Sequence, residues 1–259
     1  MRSLTLDPDS LADQASFTSL TAVAGIFGEL TPGSWLLIGG WMVKAWSSQG
    51  QSDVEIRATS DVDIALLASR TTDALGVVEA LLQREYAQMT TPFRFESDSG
   101  AAIDILVPPG ASRHHPPRIG ALETLEAPGT RLAFELPLET FRFIFRDESV
   151  GLPVASLAGA LVAKTVLLAK QRQRRVRDDA HDVAALLACL ERIPEPSIGQ
   201  LRKHRKRSDV RAAQRALEHL FAAADSVGTS WVAAELGLRS GLEAASRARW
   251  LLDSLADQG

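Results

Sequence analysis

The period of the apolar residues changes once along this chain, near residue 150, and that change does most to narrow the fold. Before it, short apolar or alternating runs read as strands. They fall at Trp35–Ile38, Asp61–Leu67, Phe93–Glu96, Ala102–Val107, Arg131–Glu135 and Thr140–Phe145. Helices are expected among them over 9–30, with Asp9 or Ser10 as N-cap, from the Gly39-Gly40 pair through Trp46, and over 72–86. The polar stretch Ser47–Asp53 reads as a loop. From Pro153 onward the spacing is helical, over 156–171, 178–192, 208–225, 230–237 and 240–256. A sheet with a few helices followed by a run of helices is an α+β arrangement, divided into 1–150 and 151–259.

Composition excludes several alternatives. With 46% hydrophobic and 23% charged residues in 259, the chain has ordinary globular usage, not that of a disordered or coiled-coil protein. Its one cysteine, Cys189, rules out an intramolecular disulfide and a cysteine zinc site, and a reducing cytoplasm is the expected compartment. The acidic start MRSLTLDPDS lacks the apolar core of a secretory signal, and the longest apolar stretch, Val154–Ala169, is interrupted by Lys164 and too short to span a bilayer. The net charge of −4 conceals a division. Residues 1–160 hold 11 basic and 20 acidic side chains, a charge of −9, whereas residues 161–259 hold 17 and 12, a charge of +5. An acidic first half is a poor grip for nucleic acid.

Chemistry enters with carboxylates on strands. In a strand, alternate side chains share a face, so Asp61 and Asp63 point one way, about 7 Å apart, while Val62 and Ile64 point the other. Two such acids repel each other unless a hard cation lies between them. The run Ile103-Asp104-Ile105 places one more acid in an apolar strand, and if the two strands are neighbours the three carboxylates form a cluster. Solvent-facing acids on an edge strand are the competing explanation. Gly39-Gly40 follows a strand and opens a helix, the arrangement in which backbone N–H groups cradle phosphate.

Together, "LLIGGWMVKAW" and "IRATSDVDIAL" resemble the nucleotidyltransferase-fold signature, a glycine pair followed by R-x-[TS]-x-D-[IV]-D. The resemblance is closest to the AbiEii-type abortive-infection toxin nucleotidyltransferases. It implies a mixed sheet with flanking helices and then a helical bundle. It also implies Mg²⁺ or Mn²⁺ held by Asp61, Asp63 and Asp104 as the catalytic acids, and a nucleoside triphosphate contacted by Gly39, Gly40, Arg57 and Thr59. Trp41 stands where most members of that family carry a small or hydroxylic residue, and 20 residues separate Gly40 from Asp61.

The second half adds to the list. Lys164 lies on an apolar helical stripe with Leu157, Leu161 and Leu168, where an ammonium must reach outward or meet an anion. The family carries a phosphate-binding lysine at this place. "RVRDDAHDVAALL" resembles a further family motif with Asp179 and Asp182 on one helix face, either as nucleotide-site residues orienting Lys164 or Arg177, or simply as acids favoured by the helix N-terminus. The family's lysine before the first of these acids is Asp178 here. His114-His115 in a proline-rich loop and the basic run Leu201–Arg207 are better explained as loop and solvated helix end.

The expected activity is Mg²⁺-dependent transfer of an NMP from an NTP to an acceptor hydroxyl, with release of pyrophosphate. By resemblance the acceptor is tRNA or a protein, with a cognate antitoxin as partner; antibiotic-modifying relatives use small molecules instead. A nucleotide- or partner-binding chain without turnover and a nucleic-acid-binding protein using its basic half are the alternatives. No membrane association is expected.

Overall fold

A computed structural model describes residues 2–50, 54, 59–67, 74–110, 118–119, 122–170 and 176–256. Arg57, His114 and His115 lie outside the described residues. The chain opens with β1 (Arg2–Thr5), α1 (Leu11–Phe27), β2 (Trp35–Leu37), α2 (Gly39–Gly50), β3 (Asp61–Leu66) and α3 (Ala74–Leu82). It continues through β4 (Tyr86–Gln88), β5 (Arg94–Ser97), β6 (Ala102–Val107), β7 (Arg118–Ile119), β8 (Leu122–Glu123) and β9 (Leu125–Glu126). After α4 (Thr130–Glu135), β10 (Glu139–Phe145) and β11 (Glu148–Val154) come six helices. These are α5 (Leu157–Lys170), α6 (Val176–Arg192), α7 (Ser197–Lys203), α8 (Ser208–Phe221), α9 (Val227–Leu236) and α10 (Leu238–Ala256).

The fold is α+β. One mixed sheet has the order β1-β10-β11-β2-β3-β6-β5-β4, with β9 added to the end of β6. The pairs β1–β10, β11–β2, β3–β6 and β6–β9 are parallel, and the others are antiparallel. β3 and β6 are central, which is why their apolar residues Val62, Ile64, Ile103 and Ile105 are wholly buried. Three phenylalanines on one face of β10 receive the first two helices. Phe141 meets Trp46 edge-on, Phe143 meets Trp41 likewise, and Phe145 stacks on Phe17. α1 starts where expected, with the Ser10 hydroxyl accepting from the Asp13 N–H.

Four expectations need correction. The stretch Arg131–Glu135 is helical, as α4, not a strand: adjacent Leu132 and Ala133 are both buried, and Gly129, at φ 79°, turns the chain into the helix. Ser47–Gly50 is not loop but the last turn of α2, because Ser47 is buried and Gly50 packs against Cys189, whose Sγ would lie 2.8 Å from any added Cβ. The sheet does not end at 150, since β11 carries it to Val154. The apolar stripe on α5 is also too narrow a description, for every residue from Leu157 to Val166 is buried. The strands β1 and β4 and the helix α7 are additions. Among the described residues no helix is long and apolar enough to cross a membrane.

Candidate active-site cleft

The site begins where β2 ends. The Ile38 N–H donates to the Asp63 carbonyl at 2.9 Å, holding the end of β2 against β3. Gly39 then turns into α2 with φ 68°, a conformation that favours glycine. A second constraint applies at the same residue: a Cβ there would lie 1.8 Å from Asp63 Oδ2. At Gly40 an added Cβ would lie 2.7 Å from Thr59 Oγ1. The glycine pair is therefore required by the close approach of Asp63 and Thr59 to the start of α2. A carboxylate there is stabilised by the unpaired N–H groups and positive dipole end of the helix.

β3 and β6 are neighbours and parallel, and Asp63 is in register with Asp104. Asp63 and Asp104 thus lie side by side, and all three strand acids line one cleft. Asp104 is buried, and Asp61 and Asp63 are half-buried. A residue not foreseen from sequence joins them. Arg94 on β5 stands opposite Asp104 on β6 in the antiparallel register. Its guanidinium forks onto Asp104, with Nε 2.8 Å from Oδ1 and Nη2 3.0 Å from Oδ2. The same Nη2 lies 2.5 Å from Asp61 Oδ2. The hydrogen bonds Arg94 donates to Asp104, followed by the attraction of Asp104 and the hydrogen bond and attraction of Asp61, raise the pKa of Arg94 well above its ordinary range despite partial burial. Among the described residues, no three acid, imidazole or thiol side chains are gathered as a ready ligand set. Asp61 and Asp104 are gathered around the guanidinium instead.

The helical half closes the other side. Lys164 on α5 is 7% exposed and faces α6, where its Nζ lies 2.7 Å from Asp182 Oδ2 and 3.4 Å from Asp179 Oδ1. Burial pulls the lysine pKa down, but Asp182, Asp179 and, across the cleft, Asp63 outweigh it, so the net shift is upward and the ammonium is held. Asp179 and Asp182 do share a helix face, and the cation they orient is Lys164; Arg177 is exposed.

A cleft of about 550 Å³ unites these parts. It is lined from the sheet side by Gly39, Gly40, Thr59, Asp61, Asp63, Arg94 and Asp104, and from the helical side by Lys164, Asp178 and Asp179. Asp182 stands behind Lys164, outside the lining. Trp41 does not face the cleft. It is fully buried against Phe143, with the Lys44 ammonium 4.4 Å from its ring centroid, and among the described residues its Nε1 has no hydrogen-bond partner. The basic run is partly structural: Arg202 donates to the Ser254 carbonyl at 2.7 and 2.9 Å, and Arg207 pairs with Glu135 and Asp209.

The signal that would have singled out Arg94 was weak but present. In Phe93-Arg94-Phe95-Glu96 a basic residue alternates with aromatics in a strand, and its importance depends on the register with Asp104, which the sequence does not display. In comparisons with known proteins, no family model matches the chain and no curated protein matches it.

Proposed function

We propose that the chain is a divalent-cation-dependent nucleotidyltransferase that moves an NMP from a nucleoside triphosphate to an acceptor hydroxyl, releasing pyrophosphate. One observation carries this reading: the glycine-pair start of α2, the acids Asp61, Asp63 and Asp104, and Lys164 from the other half of the chain all line one cleft. These are the positions the resemblance to the nucleotidyltransferase fold marks for nucleotide and cation.

The side chains suit the cation that this reading requires. Carboxylate oxygens are the hard donors that Mg²⁺ and Mn²⁺ take. Two of the three acids already share one positive charge, the guanidinium of Arg94, and the third stands in register beside Asp104. Asp61, Asp63 and Asp104 would hold the ion, which when bound neutralises charge developing on the triphosphate. The protein's own groups do the rest. N–H groups at the start of α2 receive phosphate oxygens, and the Lys164 ammonium, kept charged and aimed by Asp179 and Asp182, meets the remaining phosphate charge. Asp104 takes the proton of the acceptor hydroxyl.

Charge bears on the choice of acceptor without naming it. The +5 of residues 161–259 suits a polyanion such as tRNA, with a protein or a small molecule as the other acceptor classes; an antitoxin partner belongs to the toxin-like version of this reading. Incubation with each labelled NTP, Mg²⁺ and total cellular RNA or lysate tests the activity. Labelled product is expected with the wild type and none with Asp63→Asn; labelling by Asp63→Asn at the wild-type rate would refute the reading. A second reading, nucleotide binding without turnover, has one observation in its favour, since Arg94 already neutralises two of the acids. In that case nucleotide binds in equilibrium dialysis while nothing becomes labelled.

A further inference from the structure

We infer that Arg94 is a built-in competitor for the cation: its guanidinium holds both Asp61 and Asp104 and must release them before a divalent ion binds. The inference rests on the reading of Asp61, Asp63 and Asp104 as a cation site, and it concerns how that site is guarded.

The geometry of the sheet creates the competition. In the order β3-β6-β5, Asp61 is on the far strand and Arg94 on the near one, with Asp104 between them. Because Arg94 is directly opposite Asp104, its side chain lies across β6 and its outer nitrogen reaches Asp61. Both oxygens of Asp104 and one of Asp61 therefore accept hydrogen bonds from a single guanidinium. A planar fork on a carboxylate is among the strongest neutral-pH pairings available to a side chain. A hard divalent cation held by these acids would draw on the same carboxylate oxygens that now accept from the Arg94 N–H donors.

Charge and exposure supply the other half of the argument. Asp61, Asp63 and Asp104 without Arg94 present three like charges on one face, an arrangement that attracts a cation strongly and is costly without one. Arg94 lowers both the cost and the attraction. Its side chain is 27% exposed, so unlike Lys164 at 8% it has an open path into the cleft it lines. A guanidinium displaced there stays where a triphosphate would lie, and phosphate is its other preferred bidentate partner. Cation and triphosphate then favour each other's binding: the cation frees the arginine, and the phosphate gives it a new partner.

The test uses the full chain without nucleotide, so that it reads the guard independently of any transfer reaction. Mn²⁺ binding is measured by electron paramagnetic resonance for wild type, Arg94→Gln and Arg94→Lys. Arg94→Gln is expected to bind Mn²⁺ at least about fivefold more tightly than wild type, with Arg94→Lys between them. Equal or weaker binding by Arg94→Gln, or no binding by either chain, overturns the inference. Should Arg94→Gln not fold, the wild type itself decides. On adding Mg²⁺, the Arg94 Nε–H resonance is expected to shift and its exchange with water to quicken; a resonance unchanged at saturating Mg²⁺ overturns the inference. Tight Mn²⁺ binding by Arg94→Gln in a chain that labels no acceptor would leave the guard standing and remove the nucleotidyltransferase reading alone.

Discussion

On the sheet wall of the cleft one arginine serves two carboxylates at the edge of solvent; on the helical wall one lysine serves two carboxylates almost out of water. The side chains of Arg94, Asp61 and Asp104 are 27%, 25% and 11% exposed, and those of Lys164, Asp179 and Asp182 are 8% or less. The stoichiometry is the same but the consequences differ. A buried charge cannot be left unpaired, because low-dielectric surroundings penalise it heavily, so the helical trio is fixed. At the solvent boundary water can take over between Arg94 and Asp61, so that pairing of the sheet trio can exchange. One wall supplies a permanent ammonium, the other a set of acids whose counter-ion can change.

This contrast can be broken or sharpened experimentally, starting with the largest effect. Lys164→Met removes the buried ammonium that Asp179 and Asp182 share and is expected to cost about 3–5 kcal/mol in urea unfolding. Because the folded pKa of Lys164 lies above its ordinary 10.5, the stability it contributes is complete below that pH and lost as pH rises through the higher folded value. The stability gap between wild type and Lys164→Met, followed by denaturation at increasing pH, should accordingly narrow above pH 10.5. A gap independent of pH would show that the ammonium is not what holds the helical wall.

Gly39→Ala is expected to cost about 2 kcal/mol, since it forces a Cβ into a positive-φ position against the Asp63 carboxylate. The loss of transfer activity should exceed the loss of fold, as judged by comparing labelling with thermal unfolding. Arg94→Gln should cost about 1–2 kcal/mol, less than the lysine variant, since Asp61 is reachable by water while the buried Asp104 loses its fork. If the arginine variant proved as damaging as the lysine variant, the two walls would be equivalent and the contrast would fail. Smallest of all, Arg207→Ala removes a surface ion-pair set with Glu135 and Asp209 and should cost roughly 0.5 kcal/mol.

The sequence disclosed what depends on local pattern. Asp61–Leu66 alternates and Ala102–Val107 is almost wholly apolar, so both strands were legible, as were the long helices of the second half. It concealed what depends on pairing between distant segments. β1 pairs with β10, at the opposite end of the sheet-forming half, and β11 with β10 and β2. The polar letters Ser47–Gly50 suggested a loop because nothing local announces that α6 packs over them. For the site, the acids and glycines were readable as types in a pattern. Their counter-ions depended on register: Arg94 matters because it faces Asp104, and Asp182 because a helical turn carries it behind Lys164.

The short passage from β11 to α5 has a mechanical consequence. Only Ala155 and Ser156 separate the last strand from α5, and the Ala155 carbonyl accepts a bond from the Trp46 indole at 2.9 Å. Farther along, the Cys189 thiol meets the Trp46 carbonyl at 3.2 Å, and Arg192 donates to the Gly50 carbonyl at 2.8 Å, so α2 is riveted to α6 as well. Among the described residues, these three bonds tie the jaws of the cleft to each other through α2. Opening them would break all three, whereas the half-exposed side chains at the mouth can move without breaking any.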